Sequence, residues 1–429
     1  MDKGIVKIGL LGIGTIGSGV VTLLKKNGRA ISEKIDVDLV LEKVVDRDPA
    51  KLQSLGLPEE TITTKAADVL EDPEIDVVIE LIGGIEPARS MIIAALDNDK
   101  HVVTANKDLI ASHGEELLAI ARDKNLNIYY EASVGGGIPL IRPLKQSLVA
   151  DRIHRLVGIV NGTTNYIFTR MDQDNLSLED ALLEAQKRGF AESDPSNDIE
   201  GRDAAYKLII MSGLAFSSSI EPDQVHVEGI GGVTYEDIAY AREIGYAVKL
   251  LAIGEKLPAG LALRVHPALV PLAHPLAAVL NEFNAIYIEG DAVGEVMLYG
   301  RGAGAMPTAT AVLADVAEAA RSIHHQCVDT MIEGTFHKAS FVPIKDIRTR
   351  FYLRFLADDR PGVLSALANA FGNEQVSLDM VIQKRSFGDT AEIVLVTHLV
   401  REEAFQKALE KVMALPAIKP NPSMIRLLG

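Results

Sequence analysis

Apolar residues in the first third of the chain fall in short, nearly uninterrupted runs separated by stretches of helical spacing. Val6–Leu11, Val37–Val45, Val77–Ile82, His101–Thr104 and Asn127–Tyr130 read as strands. Ser18–Lys26, Ala88–Asp97 and Glu115–Lys124 repeat their apolar positions every three to four residues, as amphipathic helices do. Strands alternating with helices imply βαβ units and a parallel, doubly wound sheet. After Glu131–Gly137 the rhythm changes to longer, less regular segments with several helix-like stretches. A glycine-rich turn at Gly300–Pro307 precedes a helical pattern over Thr308–His324, and Lys338–Arg350 reads as a connector. The chain then runs β-α-β-β-α-β through Phe351–Ala357, Val363–Phe371, Leu378–Lys384, Glu392–Leu399, Glu402–Leu415 and Ser423–Leu428, the order of a ferredoxin-like sandwich. The expected class is α/β. A Rossmann-like domain over 1–135 is completed by 305–340, an α+β domain covers 136–304, and a ferredoxin-like domain covers 350–429.

Composition narrows the chemistry. At 429 residues the chain exceeds the roughly 250–300 residues at which single cores stop growing, so several domains are required. Acidic side chains outnumber basic ones 59 to 43, and a net charge of −16 repels nucleic acid and anionic membranes. Neither is expected as a partner; a small molecule is. Cys327 is the single cysteine, which excludes an intrachain disulfide and a cysteine zinc site and fits a reducing cytoplasm. Lys3 and Lys7 before an apolar run to Leu24 look superficially like a secretory signal, but Gly9, Gly12, Gly14, Gly17 and Gly19 interrupt that run. No apolar run approaches the roughly 18 residues of a membrane-spanning helix.

Gly12-Ile13-Gly14-Thr15-Ile16-Gly17 follows a strand and opens a helix, the setting in which G-x-G-x-x-G signals a dinucleotide. Gly12 permits the turn, Gly14 lets the backbone approach a pyrophosphate, and Gly17 lets helix and strand pack closely. Asp46 suits a ribose 2′-hydroxyl whereas Arg47 beside it suits a 2′-phosphate, so NAD and NADP both remain open, with Arg47 favouring NADP. Carbonyl reduction also needs a positioned proton donor. Thr104-Ala105-Asn106-Lys107 follows a strand at the edge where ligands bind, which aims Lys107 at the crevice. Asp203 and Lys207 stand four residues apart on a predicted helix, below an acidic loop containing Glu192, Asp194 and Asp198 that suits a substrate ammonium. The plainer readings are a solvated loop lysine and a surface ion pair.

Gly12–Gly17, Thr104–Lys107, Glu131–Pro139, Asn161-Gly162-Thr163-Thr164-Asn165, Glu192–Pro195, Asp203 with Lys207, and Gly302-Ala303-Gly304 resemble the homoserine dehydrogenase family in order and spacing over essentially the whole chain. The resemblance implies NAD(P)-dependent interconversion of aspartate 4-semialdehyde and homoserine in a homodimer or homotetramer. Lys207 would be the proton donor and Lys107 would lie beside nicotinamide and substrate. Asp203, Glu192, Asp198 and Gly189 would bind substrate. Gly12, Gly14, Thr15, Ile16, Gly17, Arg47, Thr104, Lys107, Gly302 and Gly304 would face the cofactor. Glu131, Val134, Gly136 and Ile138 would form a sodium site of oxygen ligands.

Asp358–Leu364 resembles the amino-acid-binding loop of an ACT domain, with Asp359, Arg360, Gly362 and Val363 around an effector. Within the family that implies feedback by threonine; the plainer reading is a module used only for dimerisation. Two other readings differ in kind. An aspartate-semialdehyde dehydrogenase needs a nucleophilic thiol, and Cys327 lies away from every site loop. A non-catalytic metabolite sensor leaves the two lysines and the acidic loop without a purpose.

Overall fold

Six parallel strands form the first sheet in the order Ile62–Thr63, Val37–Val45, Gly4–Leu11, Val77–Glu80, His101–Thr104, Ile128–Tyr129. This is the dinucleotide-fold order, and its reversal point lies between Gly4–Leu11 and Val77–Glu80. The computed structural model describes residues 4–327 and 336–429, and the side chains of 385–387 are not described. Met1–Lys3, and residues 328–335 of the segment expected to complete the first domain, lie outside the described residues.

Two compact units divide the chain. One comprises Met1–His154, Tyr206–Pro222 and Asn284–Ala339; the other comprises Arg155–Ala205, Asp223–Phe283 and Ser340–Gly429. Residues 284–304 group with the parallel sheet, and the terminal β-α-β-β-α-β segment is not set apart from the middle of the chain.

In the first unit the helices Thr15–Ile35 and Ala305–His325 share one apolar core with the sheet, through Val20, Val21, Leu24, Val312, Leu313 and Val316. Gly19 allows their contact, since a Cβ there would lie 2.7 Å from the Ala305 carbonyl oxygen. The Thr15–Ile35 helix runs well past the expected Ser18–Lys26, because Asn27 and Gly28 are weak helix formers that interrupt the pattern without breaking the helix. The Lys107–Asp123 helix likewise starts earlier than the expected Glu115, with Asn106 accepting the Leu109 N–H as its cap.

The second unit holds the largest departure from expectation. Tyr246–Leu257 and Gly260–Pro271 are twelve-residue strands paired along their whole length, in a region where the chain pattern assigned no individual strands. Both are buried over most of their length, so the alternation that marks a half-exposed strand is missing. The terminal segment has the expected element order, with strands arranged Ser423–Leu427, Arg348–Asp358, Thr390–Thr397, Leu378–Phe387. Its last strand also runs parallel to Gly260–Pro271, pairing Arg426 with Ala268 and Leu427 with Leu269.

Buried charge joins these parts of the second unit. Asp237, the third residue of the Tyr235–Glu243 helix, has a fully buried side chain that accepts from Thr234 N, from Ser423 Oγ at 2.8 Å, and from Arg354 Nε at 2.6 Å. Arg354 also reaches Glu392 at 2.9 Å, and Glu392 accepts the Tyr240 hydroxyl. Such a set is stable only while every member is paired.

Candidate active site

The glycine loop sits at the sheet's reversal point. Gly12 has φ +92°, and a Cβ there would lie 2.8 Å from the Leu81 carbonyl oxygen; one at Gly17 would lie 2.1 Å from the Gly12 carbonyl oxygen. Gly14 faces open space and caps the Thr15–Ile35 helix with no side-chain hydrogen bond, leaving the first N–H groups for an anion. Thr15 and Ile16 begin that helix, and Arg47 is exposed at the end of the neighbouring strand. Asp46 does more than the sequence implied. Its carboxylate accepts the N–H of Ile13 at 2.9 Å and of Asp48 at 3.0 Å, bracing the loop from beneath. Burial pushes its pKa up, but these N–H donors outweigh burial and hold it below the ordinary value.

Lys107 is the first residue of its helix, one-third exposed, rather than a loop lysine. The turn before it hangs on Glu80, a residue sequence reasoning passed over. The fully buried Glu80 carboxylate accepts the N–H groups of Ile82 and Gly83 and the Thr104 hydroxyl at 2.8 Å. Thr104 Oγ1 accepts the Asn106 N–H, and the Asn106 amide donates to the Gly84 carbonyl at 2.7 Å. One buried carboxylate thus ties together two turns at the ligand-binding edge of the sheet. Its signal in the sequence is an acid closing the apolar run Val77–Ile79.

In the second unit Asp198 and Asp203 come together through Asn161. Its amide nitrogen donates to Asp198 at 2.7 Å and to Asp203 at 2.8 Å, while its oxygen accepts the Thr164 N–H and caps the Gly162–Asp174 helix. Asp203 is buried in the first turn of the Arg202–Phe216 helix, and Lys207 follows one turn later, half-buried. Gly189, at φ +75°, ends the preceding helix. Glu192 is exposed and its carbonyl accepts from Gln186. Asp194 has a local task, accepting the N–H and hydroxyl of Ser196.

The Glu131 carboxylate is committed to backbone: it accepts the N–H groups of Leu140, Ile141 and Arg142 at 2.5–2.8 Å. Oε1 accepts two of these and Oε2 one. The following loop is turned by Gly135 at φ +72° and Gly136 at φ +55°, and Val134, Gly136 and Ile138 are buried. A Cβ at Gly136 would strike the Gly302 carbonyl oxygen at 2.5 Å, and one at Gly302 would strike the Asn284 amide. That amide is fully buried without a hydrogen-bond partner, so a polar ligand fits beside this loop. Gly304, at φ +113°, starts the Ala305–His325 helix. Among the described residues no three His, Cys, Asp or Glu side chains converge as a metal site. Cys327 is exposed after the same helix, remote from these loops in the chain.

At the C-terminal loop Gly362, at φ +92° with open space over its Cα, caps the Val363–Asn373 helix. Asp359 accepts from Gln383 at 3.2 Å, and Arg360 is exposed beside Asp358.

Family models match residues 12–131 as the NAD-binding domain of homoserine dehydrogenase, 139–317 as homoserine dehydrogenase, and 351–417 as an ACT domain. A homoserine dehydrogenase of Synechocystis is 46% identical, with 99% of this chain and 100% of the relative aligned. The chain belongs to the homoserine dehydrogenase family. The Bacillus subtilis homoserine dehydrogenase is 41% identical over 99% of this chain and 98% of its own. The crystal structure of the Thiobacillus denitrificans enzyme superposes with a TM-score of 0.94 at 40% identity, covering 100% of this chain and 99% of that one. A hyperthermophilic archaeal homoserine dehydrogenase solved in complex with NADPH matches at a TM-score of 0.62 and 28% identity, over 73% of this chain and 97% of that one. This chain is thus an oxidoreductase with a nicotinamide-dinucleotide fold and an ACT domain. Among its described residues no helix is long and apolar enough to cross a membrane.

Proposed function

We propose that the enzyme reversibly reduces L-aspartate 4-semialdehyde to L-homoserine with NADPH or NADH, in the cytoplasmic synthesis of threonine and methionine. The observation that carries this reading is the Asn161 amide holding two carboxylates, Asp198 and Asp203, the second of them one helical turn before Lys207. A pair of acids suits an α-ammonium, and a lysine one turn on suits the proton of the alcohol. Asp203, Asp198 and Glu192 hold the amino-acid end of the substrate, with Gly189 shaping the loop. Lys207 delivers its proton to the carbonyl oxygen as that oxygen gains negative charge, and takes it back in the oxidative direction. Lys107 lies beside the reacting carbon and stabilises the same oxygen.

The nicotinamide, when bound, supplies the hydride to the terminal carbon. Gly12–Gly17 would receive its pyrophosphate, Arg47 a 2′-phosphate, and Thr104, Gly302 and Gly304 its remaining contacts. The NADPH complex of the archaeal relative supports a nicotinamide cofactor. Glu131, with the carbonyl oxygens of Val134, Gly136 and Ile138, would hold a sodium ion that fixes the loop, a hard-oxygen donor set suited to that cation. Threonine would bind at Asp359, Arg360, Gly362 and Val363 as feedback inhibitor. Assembly as a homodimer or homotetramer is supported by the exposed Val293, Met297 and Tyr299 on the hairpin of Phe283–Gly290 and Gly294–Arg301.

Lys207→Ala should keep NADPH affinity and lose most homoserine oxidation; near-normal turnover in a folded variant removes Lys207 from this role. Oxidation with NAD and NADP in parallel, with and without threonine, tests cofactor and control. Deleting residues from Arg350 onward would be a poor test of control, because it strips a partner strand from Gly260–Pro271. Asp359→Ala with Arg360→Ala in the full chain should raise the threonine concentration needed for inhibition; unchanged inhibition places the effector elsewhere.

A further inference from the structure

The last strand of the chain and the acidic turn of the substrate site are joined through one arginine that two acids share. Arg426, only 3% exposed, donates from Nη1 and Nη2 to both carboxylate oxygens of Glu228 at 2.7 and 2.8 Å. Its Nε reaches Glu402 at 2.9 Å, and Nη2 reaches the other Glu402 oxygen. His226 Nε2 also meets Glu228, at 2.6 Å. The Glu228 N–H donates to the Val265 carbonyl at 2.8 Å, which seats this segment on the long hairpin.

The next residues lie directly on the acidic turn. Ile230 N–H donates to the Ile199 carbonyl at 2.8 Å, and a Cβ on Gly229 would lie 2.4 Å from that same oxygen. From the other side, a Cβ on Gly201 would sit 3.2 Å from the side chains of Val227 and Val265. The approach at Gly229 is backbone against backbone and admits no Cβ, so 227–230 and 199–201 are in direct contact there. A close-packed contact of this kind transmits a shift instead of absorbing it. Ile199–Gly201, with Arg202, is the short link between Asp198 and Asp203.

We propose that Arg426, through Glu228, is a positioning residue for the substrate-ammonium site: it sets the place of the turn Ile199–Gly201 and so the spacing of Asp198 and Asp203. This rests on the reading of those two acids as substrate ligands. The paired carboxylates on Arg426 supply the control. Glu228→Gln and Glu402→Gln each weaken one arm of the same arginine, but only Glu228 leads to the turn. Glu228→Gln should raise the KM for homoserine about tenfold with kcat within about twofold and cofactor affinity unchanged, whereas Glu402→Gln should lower stability with the parent KM. Arg426→Lys, which keeps the charge without the fork, should fall between the parent and Arg426→Gln.

The double variant Glu228→Gln/Arg426→Gln should show no more KM change than Glu228→Gln alone. Equal KM values for Glu228→Gln and Glu402→Gln, or a parallel rise in the KM for cofactor, overturn the proposal. Asp203→Asn measured alongside separates the two levels. If it leaves the KM for homoserine unchanged, the reading of the site fails; if it raises KM while Glu228→Gln does not, only the positioning inference fails.

Discussion

Alanine at Gly14 and alanine at Gly17 should separate cofactor binding from loop packing within one turn. At Gly14 an added methyl meets nothing within 4 Å, and φ −65° with ψ −162° is accessible to alanine. Removing a glycine at such a position restricts the unfolded chain and adds about 0.4–1 kcal/mol of stability. The methyl nevertheless fills the space over the helix N-terminus that a pyrophosphate must enter. Losing one charge-assisted hydrogen bond there costs about 1.5–3 kcal/mol, or roughly 10- to 100-fold in Kd. At Gly17 the methyl would lie 2.1 Å from the Gly12 carbonyl oxygen, and Gly12 is itself held by its N–H on Val45 at 2.8 Å. The loop must open, at a cost of about 1–3 kcal/mol from overpacking. Fluorescence titration with NADPH and denaturant unfolding of the cofactor-free chain measure both quantities. Gly14→Ala is expected to be as stable as the parent or slightly more so, with weakened NADPH binding; Gly17→Ala should lose both. Parent-like NADPH affinity in Gly14→Ala would refute the placement of the pyrophosphate. Parent-like stability in Gly17→Ala would refute the packing argument.

Three further perturbations follow from buried polar groups. Arg354→Met strands Asp237 and Glu392 in the interior and should cost about 3–5 kcal/mol in denaturant unfolding, with no recovery by Arg354→Lys because an ammonium cannot reach both acids in a fork. Thr104→Val leaves a Glu80 oxygen and the Asn106 N–H without their partner, so stability should fall by about 1–3 kcal/mol; an unchanged unfolding midpoint would show that the Glu80 tie is slack. His266 is buried with Nδ1 on the Pro267 carbonyl and Nε2 unpartnered, and burial foremost, with Arg426 and Arg264 nearby, holds its pKa well below the ordinary 6.5. The unfolded chain therefore takes up this proton first as pH falls. The contribution is fully present above 6.5 and is lost below it, at up to about 1.4 kcal/mol per pH unit. Unfolding from pH 7.5 to 5.5 should show this limb in the parent and a flatter one in His266→Gln; equal slopes would mean that His266 titrates normally.

How much of the site could be read without a structure depends on how local each interaction is. Gly12–Gly17 and the Thr104–Lys107 turn are strand–turn–helix passages whose consequences lie within a few residues, so motif and conformation coincide. Asn161 could be seen as a helix cap before Gly162-Thr163-Thr164, but not as the donor that joins Asp198 and Asp203, 37 and 42 positions away. Asp46 was legible as a strand-end acid and ambiguous as a cofactor ligand; its bond to Ile13 depends on how two strands register. Glu131 carries no local sign of the three N–H groups, nine to eleven positions on, that its carboxylate accepts.

The strand–helix alternation of the first third, the glycine loop and the terminal β-α-β-β-α-β rhythm were determined by sequence alone, because backbone freedom, capping and apolar periodicity act over one or two turns. The long hairpin, the pairing of Ser423–Leu427 with Gly260–Pro271 and the bond from Arg426 to Glu228, 198 positions apart, were decided only in three dimensions. A strand buried on both faces loses its alternating signature, and a buried charge shows no partner in its own neighbourhood. Both become definite only when distant segments exclude water together and leave each polar group one available partner.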